Sequence, residues 1–168
     1  TTSFFQHNRF INGEYLLRLL REGKNIALVS DAGTPGILDP GYNLINLAIK
    51  NNLEMIFIPG ATAFVNALVV SGKPAHEFYF AGFLVNRTGA RKNQLEKLKK
   101  LNCTLVFYES CHRILASLGD INTVFGEKEI VVARELTKKF EEILRGTPNS
   151  IIAKLAENKP RGEFVIVI

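Results

Sequence analysis

Residues 25–41 read NIALVSDAGTPGILDPG, a short apolar run that breaks into a bend and then opens a helix. Between Val29 and Gly41 stand two carboxylates, three glycines and two prolines. An apolar run followed by such punctuation predicts a buried strand over 25–30 leading into a shaped loop. Gly33 and Gly36 permit positive φ and close backbone approach, and Pro35 fixes the path. Asp39 suits a helix N-cap and Pro40 the first helical position, with Leu44, Ile45, Ala48 and Ile49 as the buried face of the helix that follows. Asp31 leaves the strand end, where it serves either a cleft or the turn itself.

The pattern extends in both directions. Upstream, GEYLLRLLREGK (13–24) predicts a helix with Tyr15, Leu16, Leu19 and Leu20 on one face and Gly23 as its stop. Downstream, EMIFIPG (54–60) predicts a second strand, and ATAFVNALVVSG a helix closed by Gly72. Apolar strands alternating with helices predict an α/β fold with a mostly parallel sheet in this first lobe. GKPAH (72–76) reads as a linker, which divides the chain into a lobe over 1–74 and another over 75–168. The second lobe reads as a mixed sheet with helices. Its strands are EFYFAGFLV (77–85), NCTLVFYES (102–110), EIVVAREL (129–136), a segment from Glu142 to Arg145, and EFVIVI (163–168). Its helices are the basic ARKNQLEKLKKL (90–101), a short one capped by Asp120 and ending near Gly126, and one capped by Thr147 with Pro148 first.

Composition bounds the function. Hydrophobic residues at 46% and charged ones at 22% describe a globular chain. No apolar run approaches the roughly 18 residues of a membrane span, so no membrane partner is expected. A net charge of +5 favours acidic partners, either nucleic acid or polycarboxylate metabolites. Cys103 and Cys111 lack metal-ligand spacing and read as reduced thiols of a cytosolic protein. With His7, His76 and His112 scattered, no metal is expected. The chain opens on Thr1 rather than Met, and a piece of a longer protein is expected.

Five segments carry candidate chemistry. The loop Ser30, Asp31, Ala32, Gly33, Thr34, Pro35 sits where open α/β sheets place ligands, beyond the carboxyl end of a strand. Pro59, Gly60, Thr62 and Ala63 repeat the design, offering backbone N–H groups and a hydroxyl at a helix start. Taken singly, each loop is equally a plain turn or a capped helix; taken together they favour a nucleotide-like ligand. Glu109 ends a core strand in FYESCHR, and Glu135 does so in VVARELTK, where Arg134 is a possible internal partner. Each is a cleft carboxylate or an ordinary strand end. His112 and Arg113 follow at a helix start as candidates for RNA contact, where an Arg binds phosphate or merely sits in water. Arg87, Arg91 and Lys92 cluster about Gly89, in a loop suited to a phosphate backbone.

Taken in order, ALVSDAGTPGILDPGY, IPGATAF, FAGFL with its basic loop, TLVFYES-HR, VVARELTK and RGEFVIVI resemble the ribosomal RNA small-subunit methyltransferase I family, within the tetrapyrrole methylase superfamily. The resemblance covers nearly the whole chain. It implies a two-lobed fold that binds S-adenosyl-L-methionine and methylates the ribose 2′-hydroxyl of a cytidine in the decoding region of 16S rRNA. It implies cofactor contacts at residues 30–35, at Thr62 and Ala63, and, from the second lobe, at Phe107, Tyr108, Ala133 and Gly162. Phe83 to Lys92 would reach 16S rRNA or the small ribosomal subunit. Glu109 and Glu135 are the candidates to orient or accept the hydroxyl proton. The family's first strand and a Gly-Asn-Leu-Asp-type loop would precede Thr1, so that strand is expected to be missing. The resemblance further implies a cytoplasmic homodimer. A corrinoid-precursor methyltransferase and a non-catalytic RNA-binding or dimerising fragment are the alternatives.

Overall fold

The computed structural model describes residues 9–31, 33–39 and 41–168. Packing divides the chain into one unit ending at Thr62 and another running from Ala63 to Ile168. The division falls before the GKPAH linker because helix α3 (Ala63–Ser71) buries Ala67 and Leu68 against the sheet of the second unit.

In the first unit, α1 (Arg9–Arg21) and α2 (Tyr42–Lys50) pack together. Helix α1 buries Leu16 and Leu17, whereas Tyr15 is exposed. A Cβ on Gly13 would lie 3.1 Å from Leu47 Cδ1, so glycine lets the helices approach closely. Gly23 and Lys24 donate to the carbonyls of Leu20 and Leu19, the double bond that ends a helix at glycine. Helix α2 is capped by Gly41 rather than Asp39, and Pro40 lies outside the described residues. A Cβ at Gly41 would sit 2.9 Å from Leu28 Cδ2, so this helix start closes against the run leading into the bend.

The strands expected at 25–30 and 54–60 are irregular segments without a ladder, and no strand occurs in this unit among the described residues. An apolar pattern specifies which residues seek burial, but a strand also requires a neighbour for its N–H and C=O groups. Accordingly Ile56 is 78% exposed, and Phe57 and Ile58 are similarly open.

The second unit is a five-stranded mixed sheet: β1 (Phe78–Phe83), β2 (Thr104–Ser110), β3 (Ile130–Arg134), β4 (Glu142–Gly146) and β5 (Glu163–Val167), in the order β1-β2-β5-β3-β4. Only β1 and β2 pair in parallel; every other pairing is antiparallel. Leu105, Phe107, Val132, Phe164 and Ile166 point to one face, beneath α4 (Thr88–Leu98), α5 (Ile114–Phe125) and α6 (Pro148–Ala156). Val106, Val131, Ala133, Val165 and Val167 point to the other, beneath α3. The near-continuous apolar strands are thus explained by burial on both sides. Thr147 caps α6 as expected, its hydroxyl accepting from the Ser150 N–H. Asp120 is not a cap: α5 begins at Ile114, and Asp120 is buried within it. Gly89 likewise lies inside α4, so the basic loop is shorter than expected and ends at Arg87.

Candidate functional site

Within the first unit the two glycine-bearing bends meet. Thr34 Oγ1 lies 2.7 Å from Thr62 Oγ1 and 3.4 Å from the Ala61 carbonyl oxygen. Gly33 holds φ +79, and its α-carbon faces the Ala61 carbonyl, which a Cβ there would approach to 4.0 Å. Ser30 Oγ donates to the Gly33 carbonyl, and the Ile37 N–H to that of Thr34, which together set the curve of the bend. Asp31 is exposed at its rim; Ala32 lies outside the described residues. A Cβ at Gly60 would meet nothing within 4 Å, so the second bend is bordered by open space. The result is a cradle of backbone and two hydroxyls, with no bulky side chain at its glycines. That composition fits a small polar ligand bound through hydrogen bonds.

In the second unit the expected residues have mixed fates. Tyr108 is half-buried, and its hydroxyl accepts from the Phe64 N–H at the start of α3. Its ring meets Phe80 and Phe83 edge-on, at 4.9 and 5.7 Å between centroids. Phe107 and Ala133 are fully buried on opposite faces of the sheet, so their side chains are core and do not line a cleft. Gly162 adopts φ +87, and a Cβ there would fall 2.5 Å from Glu135 Cγ.

Neither candidate general base is a free carboxylate. Glu109 is 1% exposed, and both oxygens are engaged. Oε1 accepts from the Ser110 N–H at 2.8 Å and from Arg113 Nε at 2.8 Å, and Oε2 from Ser117 Oγ at 2.5 Å. Arg113 Nη2 also reaches the Leu84 carbonyl at 2.9 Å. Glu109 therefore joins the ends of β1 and β2 to the start of α5. Glu135 stands at φ +47, past the end of β3. Its Oε1 accepts from the Glu163 N–H at 2.9 Å and lies 3.2 Å from Lys138 Nζ. The Glu163 N–H first, and the Lys138 ammonium after it, hold this carboxyl below its ordinary range against the opposing effect of burial. Arg134 pairs with Glu142, not with Glu135. A base needs an accessible lone pair near its proton. Glu109, with both oxygens engaged, serves the fold; Glu135 is tied to Glu163 and Lys138 through Oε1 alone.

The basic residues divide in the same way. Arg91 is 2% exposed and forms an ion pair with Asp120 at 2.6 Å, with further bonds to the Asn86 carbonyl and Thr88 Oγ1. Buried and committed, it does not reach a phosphate; Arg113 is likewise committed to Glu109. Lys92 is partly exposed, 3.6 Å from Asp120. Arg87 and His112 are exposed. The inward turn of Arg91 had no local signal, because its partner lies 29 positions away. The aromatic group around Tyr108 was also missed. Its one available clue was Gly82 inside an apolar strand, a common mark of a bulge.

The fold is that of a methylase. The family of tetrapyrrole (corrin/porphyrin) methylases matches residues 6–151, and the chain belongs to that family. Its fold is shared with the methyltransferase CobJ, at a TM-score of 0.67 and 19% identity over 92% of this chain and 69% of that one. It is also shared with the Thermus thermophilus uroporphyrin-III C-methyltransferase complexed with S-adenosyl homocysteine, at 0.59 and 15% over 95% and 73%. Among sequences, proteins named ribosomal RNA small subunit methyltransferase I are much more similar, and the chain is a member of that group within the family. It is 47% identical to the Synechocystis protein over 99% of this chain and 60% of the relative. For Bacillus subtilis the values are 42%, 99% and 57%, and for Thermotoga maritima 42%, 99% and 74%. The chain thus spans about 60% of the length of the first of these relatives.

Proposed function

We propose that the chain is the S-adenosyl-L-methionine-binding part of a methyltransferase that modifies a cytidine ribose 2′-hydroxyl in the decoding region of 16S rRNA. The observation that carries this reading is the apposition of the two bends through Thr34 and Thr62. The relatives' names, ribosomal RNA small subunit methyltransferase I, support an RNA substrate. A cytoplasmic site of action and a homodimer belong to the same reading.

The cofactor supplies a methyl group already activated on a sulfonium, so the protein's task is alignment and exclusion of water. Backbone groups of residues 30–35 and 59–63 bind its polar parts, and the Thr34–Thr62 contact fixes the two bends relative to each other. Asp31 offers the exposed carboxylate of this set. The buried Glu109 and the paired Glu135 hold the strand ends that carry Tyr108 and Gly162. Arg87 and Lys92 supply positive charge for the RNA backbone, and the exposed His112 a further polar contact.

Isothermal titration with S-adenosylhomocysteine tests the cofactor half. The wild-type chain binds it, and Thr34→Val, which removes one neutral hydrogen bond, weakens binding roughly 3- to 10-fold. Transfer of a tritiated methyl from S-adenosylmethionine into small-subunit RNA, at a position then resistant to alkaline cleavage, tests the ribose assignment. Binding unaffected by Thr34→Val sinks the cradle, and label on a base instead of a ribose sinks the 2′-hydroxyl.

A further inference from the structure

Strand β1 contains an irregularity with a chemical consequence. In its parallel register with β2, Phe80 lies opposite Val106 and Phe83 opposite Tyr108, so β1 spends three steps where β2 spends two. The extra residue falls at Ala81–Gly82, with Gly82 at φ +67. Alternation would otherwise put Phe80 and Phe83 on opposite faces of the sheet. Instead Phe80 stacks on Phe64 at 4.2 Å, Ala81 packs into the core beneath α4–α6, and Phe83 meets Tyr108 on the same side as Phe80. A bulge of this kind re-aims a side chain. Here it completes a row of rings, Phe64, Phe80, Tyr108 and Phe83, and leaves its last member 51% exposed.

The chain beyond Phe83 is pinned at three successive residues. The Leu84 carbonyl accepts from Arg113, the Val85 N–H donates to Gln94 Oε1, and the Asn86 carbonyl accepts from Arg91. The next residue, Arg87, is exposed and has no ion pair among the described residues. An open aromatic face and a free guanidinium therefore flank a short, immobilised segment. Single-stranded nucleic acid is recognised by this combination, a base stacked on an aromatic ring and its phosphate held by a cation.

We propose that Phe83 is a stacking platform for an unpaired base of the RNA substrate, with Arg87 on the adjoining phosphate. This rests on the ribosomal RNA reading above and extends it to a named contact. Arg91, Gln94 and Arg113 are positioning residues that fix the platform and touch no RNA.

The chain contains no tryptophan, so Phe83→Trp installs a single reporter. With a short fluorescein-labelled single-stranded RNA of mixed sequence as probe, Phe83→Ala weakens binding about 10-fold or more, within the range for loss of one stacked base. Phe83→Tyr restores it. The Phe83→Ala change leaves the salt dependence of RNA binding and the affinity for S-adenosylhomocysteine unchanged. Arg87→Ala instead lowers the slope of log K against log salt by about 0.7. The fluorescence of Phe83→Trp is quenched by the RNA and not by S-adenosylhomocysteine. Because Phe83 is half-exposed, the variants keep the wild-type melting transition, and Phe83→Leu controls for apolar bulk by weakening RNA binding as alanine does. Unchanged RNA affinity in Phe83→Ala, beside a wild type that binds RNA, overturns the platform and leaves the parent reading standing. Loss of S-adenosylhomocysteine binding in its place assigns the ring to the cofactor's adenine and also overturns it. A wild type that binds no RNA overturns both.

Discussion

Glu109 lies under α5 with both oxygens engaged: a backbone N–H and a guanidinium on one, a serine hydroxyl on the other. Its removal is a structural injury. Glu109→Gln leaves Arg113 without its charge partner and lowers stability by about 3 kcal/mol, as expected for breaking a buried pair. For a chain of this size that corresponds to a fall in melting temperature of about 10 °C. A general base would behave otherwise, losing methyl transfer with an unchanged melt, so calorimetry beside a transfer assay separates the two. The sequence could locate Glu109 at a strand end but not its direction. Position and residue type are local; the hydroxyl of Ser117 arrives only through the packing of α5. Arg91 follows the same logic, since a basic residue in a basic helix reads as solvated until Asp120 is folded beneath it.

At the level of elements, the junction of β3 and β5 is held by one carboxylate and one glycine. Gly162→Ala places a methyl at φ +87 and within overlap distance of the Glu135 side chain, so it is destabilising by about 2 kcal/mol. Adding Glu135→Ala relieves the overlap, and the double variant is less destabilised than the sum of the two singles, as urea titration of all four proteins will show. The same junction sets a pH dependence. A carboxyl lowered in the folded state stabilises the fold above its ordinary value of 4.5 and loses that contribution as pH falls through the lower folded value. Lys138, raised chiefly by Glu163 and then by Glu135, contributes below 10.5 and loses its contribution as pH rises through the higher folded value. Glu135→Gln therefore flattens the acid limb of the stability curve and also weakens the alkaline limb. Elements of this size were largely legible. The Thr147–Pro148 pair announced α6, and apolar runs announced four of the five strands of the second unit, β4 being the mixed segment from Glu142. The positive φ at Glu135 was not legible, because only the meeting of two strand ends demands it.

For the whole molecule, both hydrophobic clusters draw every buried member from residues beyond Ala63. The segment 63–168 is expected to fold alone with a single cooperative transition, which circular dichroism of that fragment will report. Hydrogen exchange on the full chain should find β2 and β5 strongly protected, and residues 25–30 and 54–60 weakly so, as they carry no ladder. Here the sequence revealed the α/β class and the sites of the two bends. Ladder formation in the first unit was beyond it, since alternation and apolarity do not reveal who the hydrogen-bonding neighbour is.

Strand β1 forms one border of the sheet, with Phe78 and Tyr79 open beside it. A long, regular apolar border invites another molecule to zip along it. The additional step at Gly82 breaks the spacing of the outward N–H and C=O groups after Phe80, so an incoming strand finds no continuous row to follow. Deleting Gly82 would make that border regular. Phe83 would stay on the face of Phe80 and Leu84 in the core, so the change would trade a soluble margin for a template of self-association without refacing a side chain.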